Sequence, residues 1–261
     1  MSCIETKDLN ISYGSLDIVK DLSLSIPKGK ITTIIGANGC GKSTILKTVA
    51  RILQPKSGNI YINGKDINSQ KTKDLAKVMA VLPQSPQAPS GLTVEELIAY
   101  GRFPHQSGFG KLKKEDNNII DWALEVTGIS EFRDRQIEAL SGGQRQRAWI
   151  AMALAQETDI LVLDEPTTYL DLAHQLEILN LLEELNKKQG TTIVMVIHEL
   201  NNAARFADHM IGVKKGQIVC EGNAHDVMTK ENLKELFNID AEIVSDPINN
   251  KPVCITYDMV K

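Results

Sequence analysis

KITTIIGANGCGKSTILKTVARILQP, residues 30–55, joins three patterns that together decide the fold. KITTII (30–35) is a short apolar run rich in β-branched residues, as expected of a strand buried on both faces. STILKTVARIL (43–53) places Leu46, Val49, Ala50 and Leu53 on one helical face, and Pro55 predicts its end. Between them GANGCGKS fits G-x-x-x-x-G-K-[ST], with Gly36, Gly41, Lys42 and Ser43 at the fixed positions. In a strand-to-helix turn this pattern makes a phosphate-binding loop. Glycines let backbone N–H groups approach phosphate oxygens, and the helix N-terminus adds a positive dipole. Lys42 then reaches the β and γ phosphates, and the Ser43 hydroxyl suits Mg²⁺.

Two further runs, ILVLDE (160–165) and TTIVMVIHE (191–199), read as strands buried on both faces, which predicts a parallel α/β core. Between them HQLEILNLLEELNKKQG spaces Leu176, Leu179, Leu182 and Leu185 along an amphipathic crossover helix that stops at Gly190. Residues 86–158 carry Pro86, Pro89 and Pro104, then helical patterns in TVEELIAYG and NNIIDWALEVTG, and predict an inserted helical subdomain. From about Asn223 the tail reads as helix followed by a short extended piece, PVCITY. No internal repeat is present.

Asp164 and Glu165 close the buried run as adjacent carboxylates, and adjacent strand residues point to opposite faces unless the chain turns. They should therefore do different work. Asp164 suits a ligand of a nucleotide's magnesium, and Glu165 suits a base that polarises attacking water.

The 261 residues, 42% of them hydrophobic, can build a sizeable core. A formal net charge of -4 argues against a nucleic-acid partner, because phosphate backbones attract clustered cations; basic runs such as KLKKED (111–116) read as solvated faces. No apolar run approaches the roughly 18 residues of a membrane-spanning helix, and MSCIETKDLNISYG lacks the pattern of a signal peptide. The expectation is a cytoplasmic chain. Cys3, Cys40, Cys220 and Cys254 are scattered and read as reduced thiols.

Taken in order, GANGCGKS, LPQ (82–84), LSGGQ (140–144), ILVLDEP (160–166), TTYLD (167–171) and His198 resemble an ATP-binding cassette protein over essentially the whole chain. The resemblance implies a P-loop NTPase α/β fold with a parallel sheet, an antiparallel β subdomain at the N-terminus and an inserted helical subdomain. The nucleotide-binding core would comprise 1–85 and 159–222, the helical signature subdomain 86–158 and a C-terminal extension 223–261. It implies ATP and Mg²⁺ as cofactors, with ATP held by Gly36, Ala37, Asn38, Gly39, Cys40, Gly41, Lys42, Ser43 and Thr44. Tyr13 takes the place of the aromatic that stacks on adenine, or is a plain strand-edge tyrosine. Gln84 matches the residue that senses γ-phosphate and magnesium, and joins Ser43 and Asp164 as a metal contact. Glu165 would be the catalytic base, with His198 holding the γ-phosphate; Glu199 stands where many relatives have Asp.

In that family the signature contacts ATP held by the partner cassette of a head-to-tail dimer. Ser141 can cap a helix while Gly142 and Gly143 expose N–H donors to an anion, with Gln144 completing the motif. Asp171 matches a residue that communicates across the dimer, or is a helix N-cap. Arg145 and Arg147 read as surface ion-pair residues. Cys40, at a helix N-terminus inside the loop, reads as a thiol open to alkylation, or as a small residue that the loop tolerates.

LPQSPQAPSGLTVEELIAYGRFPHQ (82–106), RAWIAMALAQ (147–156), PTTYLDLAHQLEILNLL (166–182) and LFNIDAEIVSDPINNKPVCITY (236–257) look like the iron–siderophore and cobalamin importer branch, and most like ferrichrome-type ATPases. That branch implies a homodimer on the cytoplasmic face of the membrane, docked beneath two integral-membrane permeases and served by an extracytoplasmic binding protein. Cobalamin or haem import, or soluble iron–sulfur cluster assembly, are the competing readings. Translation and repair cassettes are disfavoured, since those chains resemble two linked cassettes or one interrupted by a coiled coil.

Overall fold

The computed structural model describes residues 1–106, 112–168 and 170–260. It separates into two compact units, Met1–Gln70 with Thr192–Lys261, and Lys71–Thr191. Lys111 of the basic run and Tyr169 of TTYLD lie outside the described residues.

In the first unit β1 (Ser2–Tyr13) pairs antiparallel with β2 (Leu16–Leu22) and β3 (Ser25–Pro27), burying Ile4, Leu9 and Ile11 against Val19, Leu22 and Ile26. β4 (Ile31–Ile35) is buried at every position and runs through the phosphate loop into α1 (Lys42–Val49). This helix is shorter than its apolar spacing predicted. Ala50 caps it, and Arg51 turns to a φ of 56°. The Arg51 guanidinium donates to the carbonyls of Ile67 and Gln70 at 2.9 and 2.8 Å, and Leu53 lies beyond the helix. β5 (Ser57–Ile62) pairs antiparallel with β1 and with β6 (Lys65–Asp66), completing the expected N-terminal antiparallel sheet.

The second unit opens with α2 (Thr72–Leu75) and β7 (Met79–Leu82). It continues through α3 (Val94–Tyr100), α4 (Lys114–Val126) and α5 (Gly142–Ala155). β8 (Ile160–Asp164) and α6 (Leu172–Gln189) complete it. β7 and β8 are parallel, Met79 opposite Ile160 and Leu82 opposite Leu163. Among the described residues of 86–158 the segment is helical, with one isolated bridge between Thr93 and Gln136. α3 starts from a Thr93–Glu96 capping box, and both α3 and α4 pack on α5. A buried cation ties these helices together. Arg102 donates to Asp116 at 2.9 Å, to the Ala155 carbonyl at 2.6 Å and to Glu157 at 2.7 Å. Leu112 to Glu115 are exposed as the basic run predicted, but Asp116 is buried by this pairing. α6 buries Leu179, Leu182 and Leu185 and ends at Gly190 in the left-handed conformation, as its pattern required, but Leu176 is only half-buried and Ile178 is buried instead.

The chain then returns to the first unit with β9 (Thr192–Val196), α7 (Leu200–Phe206), β10 (His209–Lys214) and β11 (Gln217–Gly222). β9, β4 and β10 are parallel neighbours in that order, and β11 adds an antiparallel edge. TTIVMVIHE is thus a strand only to Val196, and β10 follows it as a further buried strand that the sequence reading did not include, with Met210 to Val213 buried. α8 (Ala224–Val227) and α9 (Lys230–Phe237) follow. The tail holds two strands, not one: β12 (Ile239–Ser245) forms an antiparallel hairpin with β13 (Pro252–Met259). The short alternation of IDAEIVS sits between helix and turn patterns, where pairing with a later strand decides its state. No helix of the described residues is long and apolar enough to cross a membrane.

Candidate active site

The phosphate loop belongs to the first unit. Gly36 leaves β4 with a φ of 150°, and a Cβ there would stand 2.1 Å from the Val213 carbonyl oxygen and 2.8 Å from Cys40 Sγ, so the position admits only glycine. Gly41 caps α1 with a φ of 107°. Lys42 is buried, and its ammonium donates to the Gly36 and Ala37 carbonyls at 2.8 and 3.0 Å. The cation is therefore held under the loop whose N–H groups Ala37, Asn38, Gly39 and Cys40 supply. Ser43 and Thr44 lie half-buried in the first turn of α1.

Cys40 departs from the sequence reading. Its side chain is only 7% exposed, and Lys42 Nζ lies 3.9 Å from the sulfur. Burial blocks the reagent access that position alone suggested. Tyr13 ends β1 with its ring about half exposed, a placement that serves a stacking face and a strand-edge residue equally. His198 is exposed just past β9, two residues before α7 begins.

The second unit carries the carboxylates. β8 ends on buried Asp164, and Glu165 takes a left-handed φ of 56°, rare for a residue with a side chain. The chain turns there, so strand alternation does not govern Glu165. Gln84, on the loop after β7, donates its Nε2 to Glu165 Oε2 at 2.5 Å, and the Thr168 hydroxyl donates to the same oxygen at 3.0 Å. Gln84 and Glu165, singled out separately in the sequence, are in direct contact. Thr168 was missed: a threonine carries no signal in a linear motif until the turn brings it back.

LSGGQ starts α5 with a complete capping box: Ser141 Oγ accepts from Gln144 N–H at 3.3 Å, and Gln144 Oε1 accepts from Ser141 N–H at 3.0 Å. S-x-x-Q spelled out that reciprocity, so the role of Gln144 was legible. The two glycines differ. A Cβ on Gly143 would meet the His174 ring at 2.9 Å, whereas a Cβ on Gly142 would meet nothing among the described residues within 4 Å outside its own helix. His174 in turn donates its backbone N–H to Asp171 Oδ1 at 2.9 Å, with its Nδ1 at 2.7 Å from the same oxygen. Asp171 is thus the N-cap of α6, and these contacts with His174 hold its carboxyl below the usual range. Of the two arginines, Arg147 pairs with Glu177 as expected. Arg145 donates instead to the Glu138 and Leu140 carbonyls, fastening the turn that precedes the signature.

Among the described residues no cluster of three or more His, Cys, Asp and Glu could enclose a metal. The donors that are present, the Ser43 hydroxyl and the Asp164 carboxylate, are hard oxygens. Each by itself, one in either unit, is of the kind that magnesium takes alongside phosphate oxygens.

A parallel α/β sheet with a phosphate loop, a turned acidic strand end and a capped glycine pair defines a nucleotide-hydrolysing class. The chain belongs to the ABC transporter family, whose profile matches residues 19–168. It is an ATPase of that family. Over its whole length it is 66% identical to the iron(3+)-hydroxamate import ATP-binding protein FhuC of Bacillus subtilis, covering 97% of that protein. A solved transporter described as of metal-chelate type, in an inward-facing conformation, superposes with a TM-score of 0.84 at 29% identity, over 97% of this chain and 96% of that one. The dimeric post-hydrolysis state of the cassette MJ0796, bound to ADP and Pi, gives 0.75 at 28% identity, over 84% and 98%.

Proposed function

We propose that this chain is the ATP-hydrolysing subunit of a membrane importer for iron(III)–siderophore complexes. The observation that carries the reading is the full-length 66% identity to an iron(3+)-hydroxamate import ATP-binding protein. Two copies act as a head-to-tail homodimer at the cytoplasmic face of the membrane, beneath two permease chains that receive cargo from an extracytoplasmic binding protein. The dimeric cassette among the solved structures supports the pairing. The residues divide as 1–85 and 159–222 for the nucleotide core, 86–158 for the helical subdomain and 223–261 for the extension.

In this reading Lys42 and the N–H groups from Ala37 to Thr44 hold the triphosphate, and Tyr13 stacks on adenine. Ser43, Gln84 and Asp164 are the protein's contacts to magnesium, which when bound offsets phosphate charge. Glu165 takes the proton of the attacking water and His198 steadies the γ-phosphate. Ser141, Gly142, Gly143 and Gln144 hold the partner's ATP, with Asp171 communicating between copies. Binding of two nucleotides draws the copies together, and hydrolysis lets them part.

Deleting the gene should abolish growth on ferric hydroxamate as sole iron source, and the tagged chain should co-purify from detergent-solubilised membranes with integral-membrane proteins. Recovery only with soluble cluster-assembly proteins, or growth defects confined to cobalamin or haem, would overturn the assignment.

A further inference from the structure

We propose that Thr168 is a positioning residue for Glu165, holding its carboxylate in place while Gln84 is free to turn to the nucleotide. The inference rests on the reading of Glu165 as the base. Three observations carry it. The Thr168 hydroxyl donates to Glu165 Oε2 at 3.0 Å, and its backbone N–H reaches the Glu165 carbonyl at 3.3 Å. Both ends of one residue thus clasp the other. Glu165 itself holds a φ of 56°, a left-handed conformation that is rare for a residue with a side chain and persists only where its surroundings enforce it. β8 fixes the near side, while Pro166, whose ring sets its own φ, and the bond from Thr168 fix the far side as a closed four-residue turn.

The third observation is that Glu165 Oε2 receives two donors of different kinds. Gln84 arrives from a loop 81 residues away, whereas Thr168 is three residues along the same turn. In the function proposed above Gln84 also serves the γ-phosphate and magnesium, and the same Nε2 donor would have to leave Glu165 to do so. Thr168 has no such task. It keeps the carboxylate aimed when Gln84 leaves, so exchange of the Gln84 donor does not cost the base its orientation.

The test uses the full chain with Thr168→Val, which keeps the shape and the backbone bond but deletes the hydroxyl, and Thr168→Ser, which restores the donor. Thr168→Val should lower kcat roughly ten- to hundredfold, the scale of one hydrogen bond to a charged group, with ATP affinity and KM unchanged. Thr168→Ser should recover the rate. In a Glu165→Gln background, Thr168→Val should bring no further loss, because both act through one group. A Thr168→Val enzyme at wild-type kcat overturns the proposal. So does Thr168→Ser as slow as Thr168→Val, since the hydroxyl is then not the cause, or a full additional loss on Glu165→Gln. Near-wild-type turnover of Glu165→Gln alone removes the base itself, an outcome read without any Thr168 variant.

Discussion

Gly142→Ala and Gly143→Ala differ by one position in the signature and should separate stability from function. At Gly143 the added methyl would stand 2.9 Å from the His174 ring, closer than real Cβ contacts come. His174 cannot simply swing away, because Asp171 holds its Nδ1 at 2.7 Å. Overpacking of this kind costs about 1–3 kcal/mol, offset by the roughly 0.5–1 kcal/mol that alanine gains over glycine inside a helix. The net is a loss of about 1 kcal/mol, or roughly 2–4 °C in Tm for a chain of this size. At Gly142 the added methyl would meet no other part of the described residues within 4 Å outside its own helix, so only the helical gain operates and Tm should hold or rise slightly. Function should run the other way. If the α5 N-terminus holds the partner's phosphate, the Gly142 methyl enters that approach, and hydrolysis should fall roughly tenfold or more, the scale of losing preorganised donors. Thermal unfolding, ATP-dependent dimerisation by light scattering and steady-state phosphate release would be measured side by side. A Gly142→Ala chain that is stable, dimerises and hydrolyses ATP at the wild-type rate refutes the argument, because the open space at Gly142 then faces no phosphate.

The remaining expectations are shorter. Lys42→Ala should weaken nucleotide binding, whereas Glu165→Gln should bind ATP normally and lose about 10² or more in turnover, both read by fluorescent-nucleotide titration and phosphate release. Mixing Ser141→Arg with Lys42→Ala chains should restore ATP-dependent association that neither shows alone, since each mixed dimer keeps one intact composite site. Asp116→Asn should cost about 3 kcal/mol at neutral pH, because it leaves the buried Arg102 cation without that partner. Burial pushes the Asp116 carboxyl up, but the Lys113 N–H and Arg102 outweigh it and hold it below the usual range. Its folded value is thus lower than its unfolded one, so the contribution is complete above about pH 4 and fades as pH falls through the folded value. Denaturant midpoints of wild type and Asp116→Asn should therefore converge in acid. Cys40 should react with maleimide far more slowly than a free thiol in the native chain and at full rate in denaturant; equal rates would contradict its burial.

The phosphate loop, the acidic strand end and the capped signature were legible in the sequence because each is local. A glycine that must leave a strand, a lysine six residues later at the start of the helix, and a serine three before a glutamine each act within one local segment, so their spacing is their geometry. The buried runs around Leu161 and Val194 were legible too, since burial on both faces leaves no alternation to misread. α1 stops at Ala50 through a turn of its own, in which Arg51 is left-handed and the Arg51 and Ile52 N–H groups return to the Thr48 and Lys47 carbonyls. The rest was decided by distant partners. Ile239–Ser245 becomes a strand because Pro252–Met259 returns to pair with it. Cys40 is shielded although its position reads as reactive, and only the fold joins Gln84 and Thr168 on one carboxylate oxygen. A linear pattern states which groups are present, whereas the partner each group takes depends on chain closure, and that is a property of the tertiary structure alone.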